Sequence, residues 1–444
     1  MEALIIAAGK GSRLSPYYSP KPLTPIFGLC LIEHIILRAK MAGVSRFKIV
    51  VGYKAKRIMK KIGTGDKYGV KIDYIFNPDW EKGNGVSVYV AKDYFKENFI
   101  LLMSDHLFDE RILKELMKVD PDHNSCYLCV DKNVQGDHLN IRDATKVSQK
   151  DGRISEIGKD LAGFNGIDTG IFLCSPFIFK ALEKSIAQGE YSFSAGNNIL
   201  AKWGKLKAIN INQHFWIDID DREDLQKAKK ILTRQLIKPT DGPISRKLNR
   251  RLSVWISTKL CQFNVSPNHL TLLSFLLALG SGAFFLAGGY LRIVIGGFLA
   301  QFSSIIDGCD GEIARLKLKQ SKFGEFLDRT LDRYADGFIV LGITYACFRL
   351  MSSPLVWIIG FLALIGSFMN SYTALQYDRF ITSKIKENRR PVRFGRDIRL
   401  FIIFLGALLN QLFFTLIILS VITNVESIRR LFILRNEYQI IQSS

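Results

Sequence analysis

The chain has 444 residues, enough for two or three domains, and 48 % of them are hydrophobic. Its formal net charge is +20 and its pI about 9.6, which points to anionic partners. The basic residues gather beside long apolar segments and phosphate-type motifs, so nucleotide phosphates and acidic lipid heads are expected rather than nucleic acid. The seven cysteines are odd in number and scattered along the chain, which argues for reduced thiols in the cytoplasm rather than a disulfide framework.

The mean hydropathy of +0.11 averages two unlike halves. Up to about Asp241, short apolar runs alternate with charged segments, as in a soluble α/β protein. Residues 3–8 are apolar throughout and read as a buried parallel strand. With Glu2 and no basic stretch before it, that run does not resemble a signal peptide. Residues 47–51, 71–76, 99–103, 154–159 and 170–174 read as further strands, and 31–42 and 222–237 as helices, the pattern of a doubly wound domain. Residues 239–243, PTDGP, form a linker. Residues 244–260 predict a basic amphipathic helix lying in the membrane interface. Its apolar side is Ile244, Leu248, Leu252, Trp255, Ile256 and Leu260, with Arg246, Lys247, Arg250 and Arg251 elsewhere. Beyond it, about six membrane helices fall near 268–288, 292–314, 325–350, 353–378, 397–409 and 411–427. Such runs match the ~20 residues needed to cross about 30 Å of hydrocarbon. Asn410–Gln411 reads either as a turn between the last two or as polar residues inside one long helix.

Two constellations carry chemistry. The first is LIIAAGKGSRL at residues 4–14, followed by SPKPL at 19–23. Glycines let backbone N–H groups approach phosphates, and Arg13 adds a bidentate partner. The second lies between membrane segments: DGCDGEIAR at 307–315 and GEFLDRTLD at 324–332. Asp307 and Asp310 are three apart, and Asp328 and Asp332 four apart, so each pair shares a helix face. Carboxylates at membrane depth are costly and mark a functional site; two such pairs can hold divalent metal. A solvated acidic loop is the competing reading, but Ile305, Ile306, Phe326, Leu327 and Leu331 share these helices.

The first constellation resembles the sugar-phosphate nucleotidyltransferases. The resemblance implies that Ala7, Ala8, Gly9, Gly11 and Arg13 hold the triphosphate and that Lys21 neutralises the phosphorus under attack. It also implies metal binding by Asp105 and by Asp218 or Asp220, both of which fit the second metal segment. Gly83, Asn84 and Ser87 would meet the base; Lys146, Lys159 and Asp168 are candidates for the sugar-phosphate side and read equally as surface charges. The second constellation resembles the CDP-alcohol phosphotransferases over roughly residues 241–430. There the resemblance gives Asp307, Asp310 and Asp328 to metal and Gly311, Ala314, Arg315 and Gly324 to the cytidine nucleotide. Asp332, at the metal site, would be the general base, and Asp336 a supporting residue. Arg393, Arg396 and Arg399 suggest a phosphate pocket for the acceptor, while Arg389 and Arg390 read as positive-inside topology.

One half activates an alcohol phosphate and the other consumes a CDP-alcohol, so consecutive steps are expected. The whole chain resembles the bifunctional family of CTP:inositol-1-phosphate cytidylyltransferase fused to di-myo-inositol phosphate phosphate synthase. That implies CTP, inositol-1-phosphate and CDP-inositol as ligands, with Mg²⁺ or Mn²⁺ in both domains. The expected architecture is an α/β Rossmann-like domain at 1–238, a linker and interfacial helix at 239–265, an all-α polytopic membrane domain at 266–430, and a tail at 431–444. A cell-membrane location with the N-terminal domain cytoplasmic, contact with membrane lipids, and a homodimer through the membrane domain complete the expectation. Two alternatives stand beside it: a lipid-alcohol acceptor in the second step, or a membrane-anchored nucleotidyltransferase with an inactive second half.

Overall fold

The structure, a computed structural model, describes residues 1–14, 17–134, 141, 143–211, 214–237, 244–382 and 394–443. It divides into two compact units, Met1–Leu232 and Thr233–Ser444.

The first unit is built on a nine-stranded mixed sheet. Its parallel part runs Lys71–Phe76, Arg46–Val51, Glu2–Ala7, Phe99–Met103. Gly166–Cys174 follows antiparallel, then Cys126–Asp131, Leu206–Asn210, Arg153–Gly158 and Lys146–Lys150. The first strand is apolar on both sides because both its faces are covered. Ala3, Ile5 and Ala7 enter one core and Leu4, Ile6 and Ala8 the other. The doubly wound reading therefore holds for the parallel part, and an antiparallel half is added to it. The strands Cys126–Asp131, Lys146–Lys150 and Leu206–Asn210 were not expected from the sequence. Helix Leu31–Ala42 ends at Gly43, whose φ of 109° suits the left-handed cap.

The second unit is helical. A single wide turn, Ser245–Asn249, leads into helix Arg250–Leu260. Among the described residues six helices follow: Pro267–Ala287, Tyr290–Leu316, Lys322–Met351, Leu355–Thr382, Arg396–Leu408 and Leu412–Ser443. Of these, five are long and apolar enough to cross a membrane, and with the resemblance to the CDP-alcohol phosphotransferases they make this half membrane-embedded. The sixth, Arg396–Leu408, has 13 residues, about 20 Å at 1.5 Å per residue, and is too short to cross alone. Asn410, at φ 56°, breaks the chain between the last two helices, so the polar pair is a turn. The final helix continues through the segment expected to be a tail.

Helix Pro267–Ala287 packs on both motif-bearing helices, Tyr290–Leu316 and Lys322–Met351. It meets the second of them backbone to backbone. A Cβ at Gly282 would lie 2.7 Å from the Phe338 carbonyl, and one at Gly342 would lie 2.5 Å from the Gly282 carbonyl. Small residues are what allow such an approach in lipid, where packing rather than water drives association.

His34 is fully enclosed in the first unit, with Nε2 3.0 Å from the Ile26 carbonyl. Burial, helped by nearby Arg38, pushes its pKa down to about 4 from an ordinary 6.5. The unfolded chain therefore binds a proton between those values that the folded chain refuses. This contribution leaves stability intact above pH 6.5 and is lost progressively as pH falls to 4, by roughly 3 kcal/mol. Urea unfolding followed by tryptophan fluorescence is expected to show this loss. His34→Gln is expected to flatten it; an unchanged slope would refute the assignment to His34.

Candidate active sites

In the first unit the parallel pairing of Glu2–Ala7 with Phe99–Met103 brings two loops to one sheet edge. One is the glycine-rich loop after residue 7, the other carries Ser104 and Asp105. Ligands of open α/β sheets bind at such carboxyl ends. The ribbon His106–Phe108 pairs antiparallel with Trp216–Asp218 and sets Asp218 directly opposite His106.

Lys21 is the pivot. It is only 6 % exposed, and its Nζ lies 2.7 Å from Asp105 Oδ2 and 2.6 Å from Asp220 Oδ1. Burial works against its charge, but Asp105, Asp218 and Asp220 together raise its pKa above the ordinary lysine value. Burial likewise lifts the Asp105 carboxyl, yet Lys21 and His106 outweigh it and hold it down at about 2. Asp218 goes the other way: burial pushes it up to about 6, even with His106 beside it. Asp168 behaves alike, lifted by burial to about 6, and accepts from the Gly170 N–H.

The loop glycine has a packing reason. Gly11 has φ 63°, and a Cβ there would lie 2.5 Å from Lys21 Cβ. Gly9, Gly11, Arg13, Lys21, Asn84, Asp105 and Asp220 line one cavity of about 350 Å³. Arg13 reaches over it to Asp143 at 2.9 Å and Asp220 at 3.5 Å. Ala7 and Ala8 are buried in the strand beneath.

Other expected residues stand elsewhere. The Ser87 hydroxyl is buried and accepts from Asn77 Nδ2, inside the fold rather than in the cavity wall. Gly83 lies under the Tyr191 carbonyl, 2.6 Å from where a Cβ would be. Lys146 donates to the Lys159 carbonyl, and neither side chain lines the cavity.

In the second unit, the four aspartates converge from two helices. One oxygen each of Asp307, Asp328 and Asp332 lies within 4.8 Å of the others. Asp310 accepts a hydrogen bond from Thr271 on helix Pro267–Ala287. Arg396 supplies the counter-charge, 2.7 Å from Asp332, 3.3 Å from Asp307 and 3.0 Å from Asp336. Arg399 is buried, tied to Asp336 at 3.0 Å and to the Ser367 carbonyl at 2.6 Å. It is therefore a support for Asp336 rather than a cavity wall, whereas Arg396 lines a cavity. Arg393, with Arg389 and Arg390, lies outside the described residues.

Two cavities flank the carboxylates. One, of about 520 Å³, is lined by Asp310, Asp328, Gly311, Ala314, Arg315 and Gly324, so the residues expected to receive the nucleotide face one space. The other, of about 330 Å³, is lined by Asp307, Arg396, Arg250, Arg430, Asn370 and several serines. Arg250 and Arg430 had not been singled out from the sequence for this wall. Behind Arg250 sits Glu312, fully buried, which accepts from Arg250 at 2.8 Å, Ser253 at 2.6 Å and Ser257 at 2.7 Å. This network, rather than the leucines, fixes helix Arg250–Leu260 to the motif. Leu248, Leu252 and Trp255 are exposed on the opposite side, as an interfacial helix requires.

Both carboxylate clusters fit a divalent cation. Asp218 Oδ1 and Asp328 Oδ1 are shielded from solvent and receive no hydrogen bond. An ionised oxygen left this way is costly unless a cation faces it.

Comparison with known proteins assigns a family to each half. The MobA-like NTP transferase domain matches residues 3–155 and the CDP-alcohol phosphatidyltransferase family matches residues 264–426. The protein is an enzyme that joins a nucleotidyltransferase to a membrane-embedded CDP-alcohol phosphotransferase. It is 34 % identical over 438 residues to a bifunctional IPC transferase and DIPP synthase of Aquifex aeolicus, covering 97 % of each chain. The protein of that name from Archaeoglobus fulgidus is 35 % identical, over 93 % of this chain and 79 % of its own. This chain belongs to the bifunctional IPC transferase and DIPP synthase family. Among solved structures, the inositol-1-phosphate CTP transferase from T. maritima matches 52 % of this chain and 94 % of its own, at 26 % identity and a TM-score of 0.48.

Gly11→Ala is expected to push the Lys21 stem out of the cavity and to lower cytidylyl transfer at least about a hundredfold, as a misplacement near 1 Å does. Transfer from supplied CDP-alcohol should stay unchanged. Equal loss in both assays would show general misfolding instead.

Proposed function

We propose that the first unit transfers CMP from CTP to inositol-1-phosphate, giving CDP-inositol and pyrophosphate. The second unit then transfers the inositol phosphate of CDP-inositol to a second inositol-1-phosphate, giving phospho-di-inositol phosphate and CMP. The names of the full-length relatives support both steps.

In the first unit the loop from Gly9 to Arg13 takes the triphosphate, and Asn84 contributes at the base end. Lys21 neutralises the α-phosphate, and the substrate phosphate oxygen is itself the nucleophile. Asp105 with Asp218 or Asp220 would hold a cation. In the second unit Asp307, Asp310, Asp328 and Asp332 would hold cations, and Gly311, Ala314, Arg315 and Gly324 receive the nucleotide. Mg²⁺ or Mn²⁺ in both sites would supply neutralisation of the pyrophosphate charge. Asp332 accepts the proton of the acceptor hydroxyl. Its pairing with Arg396 at 2.7 Å keeps the carboxylate oriented toward Asp307.

The observation that carries the second step is the smaller cavity beside Asp307. Three guanidinium groups, Arg250, Arg396 and Arg430, face two carboxylates, Asp307 and Asp397, in its wall. Four serines with Asn249 and Asn370 make up most of the remainder. Arginine forks suit a phosphomonoester, and the hydroxyl and amide groups suit a polyol. A lipid alcohol would instead need an apolar track, and the cavity offers only Ala374 and Phe394. The arginine- and lysine-rich flanks of the membrane helices favour a cytoplasmic first unit at the cell membrane. Lipids surround the second unit, and a homodimer through it is part of the same proposal.

The test is direct. Purified protein in detergent, given CTP and inositol-1-phosphate, should form a water-soluble phosphodiester visible by ³¹P NMR. Asp332→Ala should stop at CDP-inositol. Exclusive reaction with an added lipid alcohol would overturn the soluble-acceptor reading, and unchanged turnover by the variant would overturn the role of Asp332. Arg430→Gln is expected to raise KM for the acceptor roughly ten- to a hundredfold, matching about 1.5–3 kcal/mol for a charge-assisted hydrogen bond. CTP consumption should not change in that variant.

A further inference from the structure

His106 belongs to none of the roles above, yet its ring is held at the nucleotidyltransferase site by a hydrogen bond and a ring stack. Its Nδ1 is 2.7 Å from the carbonyl of Thr169. A carbonyl only accepts, so Nδ1 is the donor and Nε2 is left as the ring's outward-facing nitrogen. Thr169 is itself fixed, fully buried, with its hydroxyl donating to the Cys129 carbonyl at 2.7 Å.

The ring is closely packed. It stacks on Trp216 at 6.0 Å between centroids, and Trp216 Nε1 donates to Asp131 at 2.8 Å. Gly170, φ 71°, also borders it, and a Cβ there would come within 2.3 Å of His106 Nδ1. Only glycine leaves room for the imidazole in that position. Nε2 then points at Asp218 Oδ1, 3.5 Å away, and Asp105 Oδ1, 3.7 Å away. One possible ligand atom from each of His106, Asp105 and Asp218 lies within 4.8 Å of the others. Asp218 Oδ1 is shielded from solvent and receives no hydrogen bond.

A histidine whose far nitrogen is tied to a backbone carbonyl is the usual arrangement of a metal-ligating imidazole. Asp220 is placed differently, with its two oxygens turned to Lys21 and Arg13. We propose that His106 Nε2, Asp105 and Asp218 together ligate the divalent cation of the nucleotidyltransferase half, and that Asp220 instead orients Lys21 and Arg13. This deepens the proposed function and rests on its reading of that cluster as a cation site. With Nδ1 carrying the proton, the neutral ring offers the Nε2 lone pair to the cation. A nitrogen ligand favours Mn²⁺ over Mg²⁺, which prefers an all-oxygen shell.

The test uses the full chain in detergent with Mn²⁺ as the probe. Electron spin-echo envelope modulation of bound Mn²⁺ should show directly coordinated nitrogen, and ¹⁵N-labelled histidine should change that modulation. His106→Asn should remove it and weaken Mn²⁺ binding at this site roughly tenfold. Asp220→Asn should keep the modulation. Wild-type Mn²⁺ without nitrogen modulation would overturn the role of His106, even if the variants fail to fold. If Asp105→Asn leaves the number of bound Mn²⁺ ions unchanged, the cluster is not a cation site, and it is the underlying reading that falls.

Discussion

Both halves of the molecule solve one electrostatic problem: several carboxylates must meet in a poorly solvated place without being driven apart. Uncompensated, such groups take up protons or separate. Each half inserts one long cationic side chain into the cluster. In the first unit Lys21 lies between Asp105 and Asp220, and in the second Arg396 spans Asp307, Asp332 and Asp336. The choice of cation suits each place. Lysine is a point charge on a flexible stem and can turn from a carboxylate toward a phosphate. Arginine is a rigid fork that addresses three carboxylates at once, and Arg399 and Arg333 back it from the Asp336 side.

Those convergences depend on backbone being able to come close. Gly11 lets the glycine-rich loop lie against the Lys21 stem. Gly308 does the same for Arg250: a Cβ would be 3.1 Å from its Nη1 and 3.3 Å from the Ser253 hydroxyl. Gly282 and Gly342 let helix Pro267–Ala287 seat against the second motif helix, and the same helix brings Thr271 to Asp310. Packing and chemistry are therefore one design in this half, since the helix that closes the core also orients a carboxylate.

Much of this was legible in the sequence wherever the signal is local. The strands Lys71–Phe76 and Phe99–Met103 and the helix Leu31–Ala42 follow from runs and periodicity with their ends in place. The aspartate spacing set each pair on one helix face. What stayed hidden depends on partners far along the chain. Glu312 looks like a variable position in the motif, and its partner Arg250 lies 62 residues earlier. Arg399 reads like its neighbour Arg396, but one turns toward a cavity and the other into the protein. Ser87 carries a hydroxyl near a predicted base site, and only the fold shows it turned to Asn77. The strand Cys126–Asp131 has an apolar run, but nothing local announces that its neighbour Gly166–Cys174 runs antiparallel.

The placement of the two membrane cavities bears on the order of events in the proposed reaction. One holds Asp310, Asp328, Gly311, Ala314 and Gly324; the other holds Asp307 with Arg250, Arg396 and Arg430. No aspartate of the motif lines both, yet Asp307, Asp328 and Asp332 meet within 4.8 Å. A nucleotide in the first cavity and a phosphorylated alcohol in the second would therefore approach the same carboxylates from separate entrances. Phosphoryl transfer needs the incoming and departing oxygens roughly in line. Under the proposed reaction, cavities on two sides of the carboxylates would suit that alignment. Arg396 lines the second cavity and pairs with Asp332, so under the proposed reaction one residue would both meet the acceptor's charge and orient the base.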